Sequence, residues 1–148
     1  MSKIVQMILS GMFFTFIIDF FLFLGIKENY IDAYNIKVYY NVLFADHQNF
    51  FVFTFFTLLL GYLVMYTSPK ISITTIGLLF ILSAATLIAP VGKFAGELLL
   101  MKKDVIVKTK KFSYHGDIIY DGRKELSIYD YELKKVIILD KNKIVSEY

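Results

Sequence analysis

From Ile4 to Ile26 the chain runs 23 residues with one charged side chain, Asp19, and from Phe50 to Gly92 it again carries one, Lys70. As a helix the first run reaches about 34 Å, enough to cross the hydrocarbon core of a bilayer. Apolar runs of this length mark an integral membrane protein. The first is not expected to be a cleaved leader, since it is too long and Gly25-Ile26-Lys27-Glu28 offers no small-x-small cleavage site. It is expected to stay in the protein.

The rest of the chain divides around these runs. Residues 27–48 are polar and carry Tyr30, Tyr34, Tyr39 and Tyr40, a residue type that favours the headgroup layer. Ile31, Tyr34, Val38 and Val42 recur at roughly helical spacing, so part of this segment is expected along the interface; Ile36 to Phe44 equally fits a short strand. Residues 49–68 form a second span. The short break at Thr67-Ser68-Pro69-Lys70 makes an antiparallel hairpin with a third span over 71–92. Pro90 and Gly92 are expected to bend that helix, leaving an interfacial helix over 93–101. The expected fold is therefore a mainly α membrane protein, with the transmembrane region in residues 1–101 and a small antiparallel β meander in residues 102–148.

In that tail, Val105, Val107 and Thr109 alternate with Ile106, Lys108 and Lys110. A turn is expected at His115-Gly116-Asp117 and a hairpin at Asp121-Gly122. Leu126 to Tyr129, Val136 to Leu139 and Ile144-Val145 complete four or five short strands. Roughly 46 residues without disulfide or metal are marginal alone. The sheet should lean on the membrane-proximal helix, a neighbouring copy or a partner.

Composition closes several functional classes. There is no Cys, hence no disulfide, thiolate catalysis or Cys-ligated metal. The net charge of +3 is too small, and too near a membrane boundary, for nucleic acid. It serves better as a topology signal. Lys27, Lys37, Lys102, Lys103, Lys108, Lys110 and Lys111 share one side of three spans, against Lys3 and Lys70 on the other, which places the tail in the cytoplasm. The abundance of Lys, Ile, Phe, Tyr and Asn points to an AT-rich bacterial genome and so to the bacterial inner membrane. Gly-x-Ser-x-Gly, His-Glu-x-x-His and phosphate-cradling loops are absent, and no cofactor or metal set is expected. Asp46-His47 is an incomplete metal site; Asp46 or Asn49 reads more simply as a helix N-cap. His115 reads as a turn residue.

The polar residues inside the spans carry the remaining information. Gly11, Thr15 and Asp19 are spaced by four, with Ser10 beside them, among Phe13, Phe14, Phe16, Phe20 and Phe21. Thr54, Thr57 and Gly61 form a similar stripe in the second span, and Ser83, Thr86 and Pro90 in the third. Such stripes let helix backbones approach. An ionised Asp19 well inside a span costs about 2.5 kcal/mol or more, so an ion pair with Lys93 is expected to lock spans one and three. Lys93 pairing with Glu97, four residues on, is the local alternative.

Two functions fit. One is a non-enzymatic subunit, a scaffold, assembly or accessory factor in a homo-oligomer or larger membrane complex, whose tail docks a partner or a neighbouring copy. The other is a small homo-oligomeric channel or transporter lined by Ser10, Thr15, Asp19, Thr54 and Thr57. Chemistry on lipid through Asp46-His47 is a distant third.

Overall fold

A computed structural model describes residues 2–145. Helix α1 spans Lys3–Ile26, its first turn capped by the Ser2 hydroxyl, which accepts from the Val5 amide. It does not stop there. A π-turn over Lys27–Ile31 and a 3-10 turn over Asp32–Tyr34 continue it as a 32-residue rod. At about 48 Å it is longer than a hydrocarbon core of about 30 Å. The rod ends at Asn35, whose left-handed conformation (φ 56°) is one that Asn tolerates better than most residues.

Helix α2 covers Tyr40–His47, so the strand that Ile36 to Phe44 could have formed is replaced by helix. Helix α3, Phe50–Tyr66, follows after a bend of 86°. Asn49 caps it, accepting from the Phe51 and Val52 amides at 2.9 and 3.2 Å. Helix α4, Pro69–Ala84, returns antiparallel to α3, with Pro69 in its first turn. At the hairpin the Ser72 hydroxyl donates to the Leu63 carbonyl at 2.6 Å.

The end of the third span differs from expectation. The helix tightens to a 3-10 turn over Ala85–Leu87 and Ile88 is extended (φ −81°, ψ 124°). A separate helix α5 then occupies Ala89–Leu99. Pro90 lies in the first turn of α5, where a missing N–H leaves no helical bond unmade. The proline starts a helix instead of bending one. By length and composition two helical stretches can cross a membrane, Lys3–Tyr34 and Pro69–Leu87, and the bent pair α2–α3 makes a third if it counts as one span.

Strands β1 (Lys102–Lys108), β2 (Ser113–Asp121), β3 (Glu125–Asp130) and β4 (Lys135–Asp140) form an antiparallel meander in sequence order. A 3-10 turn over Lys141–Lys143 then brings Ile144 onto Thr109, and the Val145 amide bonds the Lys108 carbonyl at 2.8 Å. The four-stranded sheet thus curls back on its first strand as a partly closed barrel, joined only by that bridge among the described residues. Its inner face, Val107, Ile118, Leu126, Ile128 and Leu139, is buried. The expected turn at His115-Gly116-Asp117 lies instead at residues 109–112, where the Thr109 hydroxyl accepts from the Phe112 amide at 3.1 Å. Gly116 is mid-strand. A Cβ there would fall 1.8 Å from the Tyr129 carbonyl oxygen, so glycine marks a close strand approach and not a turn.

The barrel rests on its own chain. The register of β2 against β3 shifts between Ile118 and Tyr120, and this bulge turns Ile119 and Tyr120 outward. They join Phe23, Ile26, Tyr30, Ile31, Leu43 and Leu100 in one buried cluster. The missing support of the undersized tail is the outer end of α1, with α2 and the end of α5.

Candidate functional site

Three places collect polar groups among apolar elements, and all three involve α1. The first is its contact with α3. Met7 faces Gly61 and Gly11 faces Thr57, so the two helices run antiparallel. Backbone meets backbone: a Cβ on Gly11 would stand 1.9 Å from the Thr57 carbonyl oxygen, and one on Gly61 2.1 Å from that of Met7. Thr15 and Thr57 are buried here with hydroxyls that have no hydrogen-bond partner. Ser10 turns its hydroxyl onto its own helix, donating to the Gln6 carbonyl at 2.8 Å. Thr54 is half-buried, less than one turn from Thr57. The structure therefore brings Gly11, Thr15, Thr57 and Gly61 into a single contact, with Ser10 and Thr54 at its margins.

The second place is Asp19. Continuing the antiparallel register puts it beside the break between α2 and α3, and Gln48 Nε2 donates to its carboxylate at 3.1 Å. Tyr40, one turn before Phe44 on α2, donates to the Phe20 carbonyl at 3.2 Å. The ion pair with Lys93 does not form. Lys93 lies on the exposed side of α5 and has no ion pair with Asp19 or Glu97 among the described residues. The physical reason is level: Thr86 already sits beside Phe21, so Lys93, seven residues farther along, lies beyond Asp19, and the fold-back of residues 35–48 brings Gln48 to Asp19 instead.

The third place is where α1 leaves the bundle. Thr86, in the 3-10 turn after α4, donates to the Phe21 carbonyl at 3.1 Å and lies 2.6 Å from the Ser83 carbonyl. Asn29 donates its amide to the Thr86 carbonyl at 2.9 Å, serving an acceptor that the end of the helix leaves free. The same carbonyl is 2.2 Å from where a Cβ on Gly92 would lie. Above this knot, the Tyr30 hydroxyl donates to the Ile119 carbonyl at 3.0 Å and ties α1 to the barrel.

A further tie closes the far side. Asp46, at the end of α2, has a side chain only 7% exposed and receives Arg123 Nε from the β2–β3 turn at 2.5 Å. Its second oxygen is buried without a partner. The adjacent His47 ring packs on Tyr120 at 5.3 Å, and burial raises the Tyr120 hydroxyl above its ordinary value, with Asp46 adding and Arg123 opposing. Asp46 is thus an anchor for the barrel, while Asn49 takes the N-cap. His115 faces Asp104 across the β1–β2 pair at 2.7 Å. Among the described residues no three His, Asp or Glu side chains gather as a metal set.

Sequence reasoning missed Gln48, Asn29 and Arg123, for which no pattern exists. It read Gly92 as a bend and passed over Gly96, although their spacing of four was a visible sign of close packing. Compared with known proteins, the chain matches no family model, no curated sequence and no solved structure.

Proposed function

We propose that this chain is a three-span, non-enzymatic membrane subunit that holds a small β-barrel in a fixed position at the bilayer surface for a partner or a second copy to dock on. The observation that carries this reading is the continuous buried cluster running from Phe23 and Ile26 through Tyr30 and Leu100 to Ile119 and Tyr120. With the Tyr30–Ile119 bond and the Asp46–Arg123 pair, it makes the barrel a rigid platform instead of a tethered appendage. The outward surface of that platform keeps apolar side chains in water, Ile106, Phe112, Leu133 and Ile138 among them, each more than half exposed.

The three spans share one extent. The end of α3 is level with the start of α1, and Thr86 is level with Phe21, so residues 3–22 of α1 run beside both neighbours. Those 20 residues measure about 30 Å, the thickness of a hydrocarbon core. Asp19 then lies about 5 Å from the barrel-side boundary, where water and Gln48 can solvate it. The lysine excess on the barrel side supports a cytoplasmic barrel in a bacterial inner membrane.

Purification from native membranes in mild detergent, followed by mass measurement, tests the proposal. A stoichiometric partner or a defined homo-oligomer that dissociates on Ile106→Asp or Phe112→Asp supports it. A monomer with no partner in native membranes overturns it.

A channel or transporter is the second reading, and one observation favours it. The unpartnered hydroxyls of Thr15 and Thr57 lie in line with Asp19. Ion flux in liposomes that disappears in Asp19→Asn would replace the platform reading with this one.

A further inference from the structure

Between the segment that joins α1 to α2 and the β2–β3 turn of the barrel lies a groove of about 390 Å³. One wall is formed by residues 36–39 with Val42, and the other by residues 122–125 with Ile138 of β4. Its buried lining is Ile36, Tyr120 and Ser127, with Val38 beside them. Its rim is basic: Lys37 comes from the helical side and Arg123 and Lys124 from the barrel, with Glu125 the one acid in the lining. We propose that this groove binds the headgroup of an anionic phospholipid from the adjoining leaflet.

Position and charge together select that occupant. The groove is lined in part by Val42 of α2, which is followed after two residues by α3 and its uncharged span. On the membrane placement proposed above, its α2 end therefore borders the headgroup layer. Tyr39, 82% exposed at its edge, is the residue type that settles there, with its ring among acyl chains and its hydroxyl in water. Three cations against one acid leave the lining positive. Arg123 is engaged by Asp46, whereas Lys37 and Lys124, which form no ion pair among the described residues, can meet a phosphate from opposite walls. Basic groups at a membrane surface draw anionic lipid without needing a closed pocket. An acidic peptide could satisfy the same charges, but lipid headgroups are already present at high local concentration beside α2 and α3.

The inference rests on the membrane placement given above and not on the docking of a protein partner, so either can fail alone. The test is native mass spectrometry of the full chain, released from mixed phosphatidylglycerol and phosphatidylcholine vesicles into mild detergent. The wild type is expected to retain phosphatidylglycerol in preference to phosphatidylcholine. Lys37→Gln with Lys124→Gln should lower that preference about tenfold or more. Lys37→Arg with Lys124→Arg should keep it. Lys110→Gln with Lys111→Gln, beyond the other end of β1, should leave it within twofold. Equal retention of both lipids by the wild type would overturn the assignment. So would an equal loss in the Lys110/Lys111 variant, which would mean attraction to the whole barrel and not to this groove.

Discussion

Helix α1 makes two kinds of junction in one molecule. Within the bundle it meets α3 through Gly11, Thr15, Thr57 and Gly61, small residues that let the backbones touch. Outside the bundle it meets the barrel through Phe23, Ile26, Tyr30, Ile119 and Tyr120, large residues that fill a layer between elements. The solvent explains the contrast. Lipid tails are as apolar as leucine, so burying a large side chain between two helices gains little, and close backbone packing has to supply the attraction. At the bilayer surface water returns. Removing apolar area from it is then the driving force, and large side chains remove the most.

The sharpest way to break the first junction is Gly11→Leu. Its Cβ would fall 1.9 Å from a carbonyl of α3, a backbone atom that cannot turn aside. The helices must separate by several ångströms, a loss of packing at the severe end of overpacking costs, about 3 kcal/mol or more. The expected outcome is loss of a monodisperse detergent-solubilised protein in size-exclusion chromatography. Leu at Gly77, which has no neighbouring atom within 4 Å of where its Cβ would be, should be tolerated. If both variants behave alike, the bundle does not depend on this contact.

Tyr120→Ala attacks the second junction. Truncating a buried aromatic costs about 3 kcal/mol, and here the loss should free the barrel while leaving the spans paired. Limited proteolysis is expected to cut between Leu100 and Lys103 faster than in the wild type, with the helical fragment still folded. Simultaneous loss of both parts would show one cooperative unit and remove the distinction drawn above.

These two junctions were unequally legible in the sequence. The spacing of Gly11, Thr15 and Asp19, and of Thr57 and Gly61, could be read because a helix repeats its face every three to four residues. The barrel junction could not. Its residues come from α1, α2, α5 and β2, and Ile119 and Tyr120 share the cluster only because a bulge rotates them outward. Nothing local encodes that rotation. The same limit explains Asp19. An apolar run shows where Asp19 falls along its own helix, whereas what Asp19 meets is set by which part of α1 has neighbours, and α1 continues to Tyr34. The misplaced turn at Gly116 has the opposite cause: a glycine signal was present, but it reported the proximity of Tyr129, not a reversal of the chain.

Thr86→Val gives a smaller effect, at the point where the two kinds of junction meet. The hydroxyl serves the Phe21 and Ser83 carbonyls, and valine fills the same space without donating. A loss of about 1 kcal/mol is expected, read as a modest fall in the thermal unfolding temperature in detergent. No change would mean that shape alone holds α4 against α1.

The smallest effect separates packing from transport. Thr15 and Thr57 bury hydroxyls that bond to nothing in the α1–α3 contact. An unsatisfied buried polar group costs stability, so an apolar residue of the same shape should be neutral or better. Thr15→Val and Thr57→Val are therefore expected to leave stability unchanged or raise it by up to about 1 kcal/mol each, read as an unfolding temperature that holds or rises. A residue kept only for its small size loses nothing in this exchange. If instead either variant keeps its fold but abolishes ion flux in liposomes, the hydroxyl is there for a passing ion or proton, and the α1–α3 contact is a path as well as a seam. Stability and flux measured on the same valine variants thus decide what the polar stripe along α1 is for, which neither measurement decides alone.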